Sequence, residues 1–297
     1  MSTHNSWQPL GPAILFAPAD RPERFAKAAD RADMVILDLE DGCRAENREA
    51  AREAIASCDL DPARTIVRVN PPEVEDYAAD IDMLRGTAFR QVMLPKASSA
   101  QQVDELVTAL GEKTQVIALI ETPLGVMRAE ELAQADGVVA LFWGAEDLVA
   151  GLAGTSSRFS EAEAALAPGR IHAGSYRSVA VHTRSHVHLA AAAHGKASLD
   201  SIYVNISDAD GLAAEAADAA ALGFAATVCI HPGQVPTIRL AYRPSDEEID
   251  WANRLLAEAE KNTGAFSFDG QMVDAPLFRQ AEAIARRAAV TGYSHGQ

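Results

Sequence analysis

The chain reads as an α/β protein, a (β/α)8 TIM barrel followed by a C-terminal helical lid segment. Three observations predict this. Eight short apolar runs alternate with Ala/Glu/Arg-rich helical stretches. The runs are rich in β-branched residues and show little polar alternation, as strands buried on both faces do. Carboxylates stand where several runs end, which is the functional face of such a barrel.

In order, the predicted strands are Ile14–Ala17, Met34–Leu39, Thr65–Val69, Gln91–Leu94, Gln115–Ile120, Gly137–Trp143, Ile202–Ile206 and Thr227–Ile230. Helices are predicted over Arg48–Ala56, Ala100–Leu110 and Leu212–Leu222, with Gly223 as a C-cap. An unusually long connection runs from Asp147 to a helix near Tyr176, and loops of that length are often functional. Residues 1–243 form the barrel with a loose N-terminal arm, Met1 to Pro9. Residues 244–297 form the lid segment, with a helix Asp246–Lys261 capped by Ser245 and Glu248, then Phe266–Val273 and a helix from Ala275 to Ala289. A doubly wound open sheet is the competing fold, but it rarely needs eight regular units.

Bulk properties exclude several classes. Of 297 residues, 26 are basic and 42 acidic, a formal net charge of −16, which argues against nucleic acid or an anionic membrane as the main partner. Three cysteines, Cys43, Cys58 and Cys229, are too few for a disulfide framework and predict a reducing cytoplasm. Cys43 follows Glu40-Asp41-Gly42, so a reactive thiol is weighed against inert packing. No signal-peptide pattern and no run of eighteen apolar residues is present.

Polar residues at the strand ends are Asp20, Glu40, Asp41, Arg68, Asn70, Lys96, Glu121, Glu146, Asp147, Asn205 and His231. Hard carboxylate oxygens from two different strands describe a Mg²⁺ site, and Glu121 and Asp147 are the chosen ligands. The alternative is that one of them merely pairs with Arg68 or Lys96. Arg68, facing inward, would stabilise an enolate or carboxylate oxygen, with Glu40 orienting it. A purely structural Arg68–Glu40 pair is the competing reading. Arg21, Arg24, Lys27 and Arg31 form a basic cluster suited to a phosphorylated ligand, or simply a solvated face. His182 and His186, an i, i+4 pair with metal-like spacing, read with His188 as an ordinary helix surface because no acidic residue accompanies them, and His231 either shapes its loop or touches substrate.

Phe16-Ala-Pro-Ala-Asp-Arg-Pro-Glu-Arg-Phe-Ala-Lys-Ala28 and Val35-Ile-Leu-Asp-Leu-Glu-Asp-Gly42 resemble the opening of citrate lyase β-subunit-like proteins of the HpcH/HpaI aldolase superfamily. Val67-Arg-Val-Asn70, Met93-Leu-Pro-Lys96, Ile120-Glu-Thr-Pro123, Trp143-Gly-Ala-Glu-Asp-Leu148, Ile230-His-Pro-Gly-Gln234 and Gly270-Gln-Met-Val-Asp-Ala-Pro276 continue the match in order. The resemblance implies a Mg²⁺-dependent carbon–carbon lyase acting on a 3-hydroxyacyl-CoA. Malyl-, citramalyl- or 3-hydroxy-3-methylglutaryl-CoA would give acetyl-CoA and a keto acid. It makes Glu121 and Asp147 metal ligands and Arg68 the enolate stabiliser, with Glu40 and Asp41 supporting the site. Backbone N–H groups near Ala145 and Glu146 are placed for the keto-acid carboxylate. CoA phosphates give Arg21, Arg24, Lys27 and Lys96 a purpose. It assigns proton exchange at the acetyl carbon to Asp274, on a lid that often closes a neighbouring subunit's site, with trimers common.

Two departures stand out. Asn205 occupies a position where relatives usually carry aspartate, and the loop Gly154-Thr-Ser-Ser-Arg158 with its following insert differs from the malyl-CoA branch. Two other activities are weighed: the β-subunit of a citrate lyase complex acting on an acyl-carrier thioester, and an aldolase on a free 2-keto-3-deoxy acid.

Overall fold

A computed structural model describes residues 7–259 and 266–291. Eight parallel strands close in sequence order, β1 to β8, with β8 returning to pair with β1. The first half comprises β1 (Ala13–Pro18), α1 (Phe25–Arg31), β2 (Met34–Asp38), α2 (Arg48–Ser57), β3 (Thr65–Arg68), α3 (Asp76–Arg85), β4 (Gln91–Leu94) and α4 (Ala100–Leu110). The second half comprises β5 (Gln115–Ile120), α5 (Pro123–Met127), α6 (Ala129–Gln134), β6 (Val138–Trp143), α7 (Ala145–Gly151), α8 (Glu161–Leu166), α9 (Ser178–Ala193), β7 (Ala197–Asp200), α10 (Ala209–Leu222), β8 (Ala226–Cys229) and α11 (Val235–Tyr242).

Strand pleating sorts the apolar residues into two layers. Ile14, Ile36, Ile66, Met93, Ile117, Leu119, Phe142, Leu199 and Val228 fill the barrel interior. Their sequence neighbours, such as Leu15, Leu37, Val67, Val92 and Ala118, pack outward against the helices. Trp7 belongs to the inner layer's margin and donates from Nε1 to Gln91 Oε1 at 2.9 Å. The predicted loose arm is therefore docked from Trp7 onward, at the closed end of the barrel; its first six residues lie outside the described residues.

One strand was misplaced from sequence. The seventh strand is Ala197–Asp200, upstream of the predicted Ile202–Ile206. Ala-Ser-Leu-Asp has weak β-propensity, but it sits between β6 and β8 and pairs with both. The β-branched run beyond it forms loop at the barrel mouth, leaving Val204 and Ile206 exposed. Gly223 does take the left-handed C-cap conformation, with φ of 101°.

Beyond the barrel come α12 (Asp246–Ala259), a hairpin of β9 (Phe266–Phe268) and β10 (Gln271–Val273), and α13 (Ala275–Thr291). The predicted end of the first of these helices, Lys261, falls outside the described residues. Ser245 and Glu248 cap it reciprocally, at 2.7 and 3.2 Å. Ala252, Leu255, Val273, Ala281 and Ile284 make a separate small core. Helix α13 faces Pro12, Ala197 and Ala225, at the N-terminal ends of the strands, across a cavity of about 670 Å³. Arg287 secures it by donating to Ala220 O at 2.7 Å. No helix among the described residues is long and apolar enough to cross a membrane.

Candidate active site

The inward row of β2 ends on Asp38 and that of β3 on Arg68, and the two meet at the mouth. Arg68 donates from Nε to Asp38 Oδ1 and from Nη2 to Asp38 Oδ2, both at 2.6 Å. This bidentate fork fixes the guanidinium plane. Asp38 in turn accepts the Glu40 and Gly42 backbone N–H groups at 3.0 and 2.8 Å. Arg68 Nη1 lies 2.8 Å from Glu40 Oε2, an ion-pair contact too poorly angled for a hydrogen bond. The guanidinium also sits 4.7 Å above the Phe16 ring. Glu40 was expected to orient Arg68; Asp38, passed over in the sequence, is the main orienting partner.

Lys96 has a left-handed backbone, φ 51°, which only a specific demand justifies. The demand is visible. Its N–H donates to Glu121 Oε1 at 3.0 Å while its ammonium hydrogen-bonds to Glu40. The ammonium is also 3.9 Å from Asp147 Oδ1. Lys96 is thus committed to carboxylates at the mouth, whereas it was expected to meet a ligand phosphate.

Asp38, Asp41, Arg68, Glu121, Ala145, Glu146 and Asp147 all line one cavity of about 330 Å³, with Phe16, Phe142, Ile202 and Ile230 as its apolar walls. The predicted ligand pair and the predicted arginine are therefore brought together. Gly144 makes this possible at β6, because a Cβ there would lie 2.9 Å from Glu121 Oε2. Glu121 is buried, and its carboxyl is pushed up to about 8 by burial, then by Glu40 and Asp147, against the opposing pull of Arg68. Burial also raises Glu40, though Arg68 and Lys96 oppose it. A buried carboxylate crowded by two others remains raised despite Arg68 and Lys96 nearby, so further positive charge is favourable there and the site fits a divalent cation. Among the described residues no group of three or more His, Cys, Asp or Glu is arranged to hold an ion. The protein itself offers two carboxylates, leaving the remaining positions to water and substrate, as hard cations such as Mg²⁺ prefer.

A pH dependence follows. Glu121 titrates above its unfolded-state value, so its contribution to stability is complete below the ordinary carboxylate range and is lost as pH rises through about 8. The thermal midpoint of the metal-free protein is expected to fall with rising pH across that window, and to fall less in Glu121→Gln. Scanning fluorimetry over a pH series measures both. An identical slope in the variant removes Glu121 as the cause.

The other predicted residues fall elsewhere. Arg21, Arg24 and Lys27 are exposed after the C-terminal end of β1, on the mouth side, and Arg24 lies 3.9 Å from Glu23. Asn205 is exposed beyond β7. His231 accepts from the Gly233 N–H at 3.1 Å and shapes its own loop. His182 and His186 stack on the surface of α9 with ring centroids 5.8 Å apart. Cys43 is buried and its thiol is pushed up to about 11 by burial and then by Asp20 and Asp38, which leaves it inert. Asp274 is exposed, and among the described residues no hydrogen bond or ion pair joins its carboxylate to the mouth.

Fold and site together define a (β/α)8 barrel whose mouth combines a clamped arginine with a buried carboxylate, Glu121, and a half-exposed one, Asp147. The chain belongs to the HpcH/HpaI aldolase/citrate lyase family, whose profile matches residues 13–232. It is 52% identical over 278 residues to the citrate lyase subunit beta-like protein of Mycobacterium tuberculosis, covering 94% of this chain and 96% of that one. It is 32% identical over 303 residues to the L-malyl-CoA/beta-methylmalyl-CoA lyase of Cereibacter sphaeroides, covering 92% and 93%. Among solved structures, CitE from Mycobacterium tuberculosis in complex with magnesium, acetoacetate and coenzyme A superimposes with a TM-score of 0.82 at 52% identity, covering 94% of this chain and 98% of that one.

Proposed function

We propose that the protein is a Mg²⁺-dependent carbon–carbon lyase that cleaves, or forms, a 3-hydroxyacyl-CoA such as malyl-, citramalyl- or 3-hydroxy-3-methylglutaryl-CoA, giving acetyl-CoA and a keto acid. The observation that carries this reading is the common cavity of Arg68, Glu121 and Asp147. The relative solved with magnesium, acetoacetate and coenzyme A supports it.

Glu121 and Asp147 would hold the metal, which supplies Lewis acidity at the keto-acid oxygens. Arg68, held in orientation by Asp38 and Glu40, meets the negative charge that develops on the thioester oxygen. Backbone N–H groups at Ala145 and Glu146 grip the keto-acid carboxylate. Lys96 offsets the negative charge of Glu40 and Glu121, to which Asp41 adds at the rim of the site. Arg21, Arg24 and Lys27 receive the CoA phosphates at the rim.

The reading extends to residues 244–297 as a lid. Asp274, at the start of α13, moves a proton to and from the acetyl carbon. Helix α13 packs toward the closed end of its own barrel, which favours closure over a neighbour's mouth within a homo-oligomer, most simply a trimer. A reducing cytoplasm agrees with three unpaired cysteines.

The test is a coupled screen of CoA esters with the purified chain. Turnover is expected with Mg²⁺, loss in EDTA, and recovery on adding Mg²⁺ or Mn²⁺. Asp147→Asn should weaken metal binding with the fold intact. Full turnover in EDTA would sink the metal assignment. A second reading, a citrate lyase β-subunit acting on a carrier thioester, draws on the name of the 52%-identical relative. It predicts no turnover of free CoA esters by the isolated chain.

A further inference from the structure

The connection from α7 to α9 is heavily anchored. Its two sides zip together: Phe159 N–H donates to Ser175 O at 3.0 Å, Gly174 N–H to Phe159 O at 2.8 Å and Arg177 N–H to Ser157 O at 2.8 Å. Arg158 locks the zip to the barrel. It donates to Gly174 O at 2.7 Å, forks onto Glu215 of α10, and lies between the rings of Tyr176 and Tyr203 at 3.7 and 4.7 Å. Tyr176 packs edge-on against Trp143 at the end of β6, 5.2 Å between centroids. Buried cation–π and bidentate contacts of this kind hold a loop in one conformation.

What the anchored loop presents to the site is Ser157. It is 2% exposed, and its Oγ donates to Glu146 Oε1 at 2.6 Å. Glu146 lines the cavity next to Asp147, where Asp38, Asp41 and Glu121 already concentrate negative charge. A fifth carboxylate free to swing inward would repel an anionic substrate or compete for its cation.

We propose that Ser157 is a positioning residue for keto-acid binding: it fixes the Glu146 carboxylate in one position at the cavity wall, and the Arg158–Glu215 anchor holds Ser157 in place. The inference rests on the lyase reading above and adds a determinant of keto-acid affinity that acts through Glu146. It gives the insert between α7 and α9 a role in the reaction without contact with the acetyl-CoA half.

The experiment measures KM for glyoxylate and pyruvate in the condensing direction, KM for acetyl-CoA, and calorimetric binding of oxalate with Mg²⁺. Ser157→Ala is expected to raise keto-acid KM and weaken oxalate binding by about tenfold, while acetyl-CoA KM stays unchanged. Ser157→Thr, which keeps the hydroxyl, should bind as wild type does. Adding Glu146→Gln to Ser157→Ala should restore the keto-acid KM, because the mobile charge is gone; a purely structural role for Ser157 would not be rescued this way. An unchanged keto-acid KM in Ser157→Ala, with active wild type, overturns the inference alone. So does failure of Glu146→Gln to rescue. Wild type that neither condenses nor binds oxalate overturns both this inference and the lyase reading.

Discussion

Replacing Arg68 by lysine is expected to lower kcat for CoA-ester cleavage by at least about a hundredfold, with a much smaller rise in KM. That loss corresponds to about 2.7 kcal/mol of transition-state stabilisation. The reason is geometric. Three nitrogens of Arg68 serve two carboxylates at once, Asp38 through Nε and Nη2 and Glu40 through Nη1. A lysine ammonium keeps the charge but has no plane, so it cannot hold both partners and still aim at a developing oxyanion. Lysine is a better test than alanine. Asp38 and Glu40 are each 3% exposed, and stripping them of a cation would destabilise the fold by roughly 3–5 kcal/mol, confusing stability with catalysis. Steady-state kinetics alongside a melting curve separate the two. A near-normal kcat would make Arg68 a structural ion pair and no more.

Asp274→Asn is expected to retain CoA and metal binding while losing turnover, by roughly a hundredfold to ten-thousandfold if it is the proton-exchanging group. Exchange of acetyl-CoA methyl protons with solvent, followed by NMR, should be lost in parallel. Undiminished exchange would remove Asp274 from the mechanism. Helix α13 has 17 residues, a rod of roughly 25 Å, with Arg287 pinning its far end to Ala220. In the proposed homo-oligomer, a rod fixed at one end to the closed side of its own barrel would close over a neighbour's mouth. Mixing Asp274→Asn with Asp147→Asn subunits should therefore restore part of the activity. Verified mixed oligomers without recovery would mean closure in cis.

The fold was legible because each strand had to be apolar on both faces, and that demand leaves plain runs such as Met34–Leu39 and Gln115–Ile120. It failed where tertiary pairing overrode propensity. Ala197–Asp200 is a strand because β6 and β8 need a partner between them. Ile202–Ile206 looks more like one and is not. In the site, Glu121 and Asp147 could be chosen because each follows an apolar run. Asp38 was missed because it sits inside a run, counted as strand and not as chemistry. Its signal was the period of two: Met34, Ile36 and Asp38 share the inward row, as do Ile66 and Arg68. Two inward rows ending in opposite charges, on adjacent strands, mark a pair. Asp274 had no pattern of its own and came only through resemblance. Ser157 had none either, because its role depends on a loop closing on itself through Arg158 and Tyr176.

Gly42 and Gly144 line the cavity but bring no reacting group to it, and each is pressed against a working carboxylate. A methyl group at Gly42 would come within 2.2 Å of Asp38 Oδ2, and one at Gly144 within 2.9 Å of Glu121. Neither has a backbone angle that forbids alanine; the constraint is room alone. In a library of random variants these two positions should tolerate almost nothing, while their chemically richer neighbour Asp41, exposed at the rim, accepts a broader set. The mutational footprint of the reaction is then wider than its reacting groups, and some of its most sensitive points carry no side chain at all.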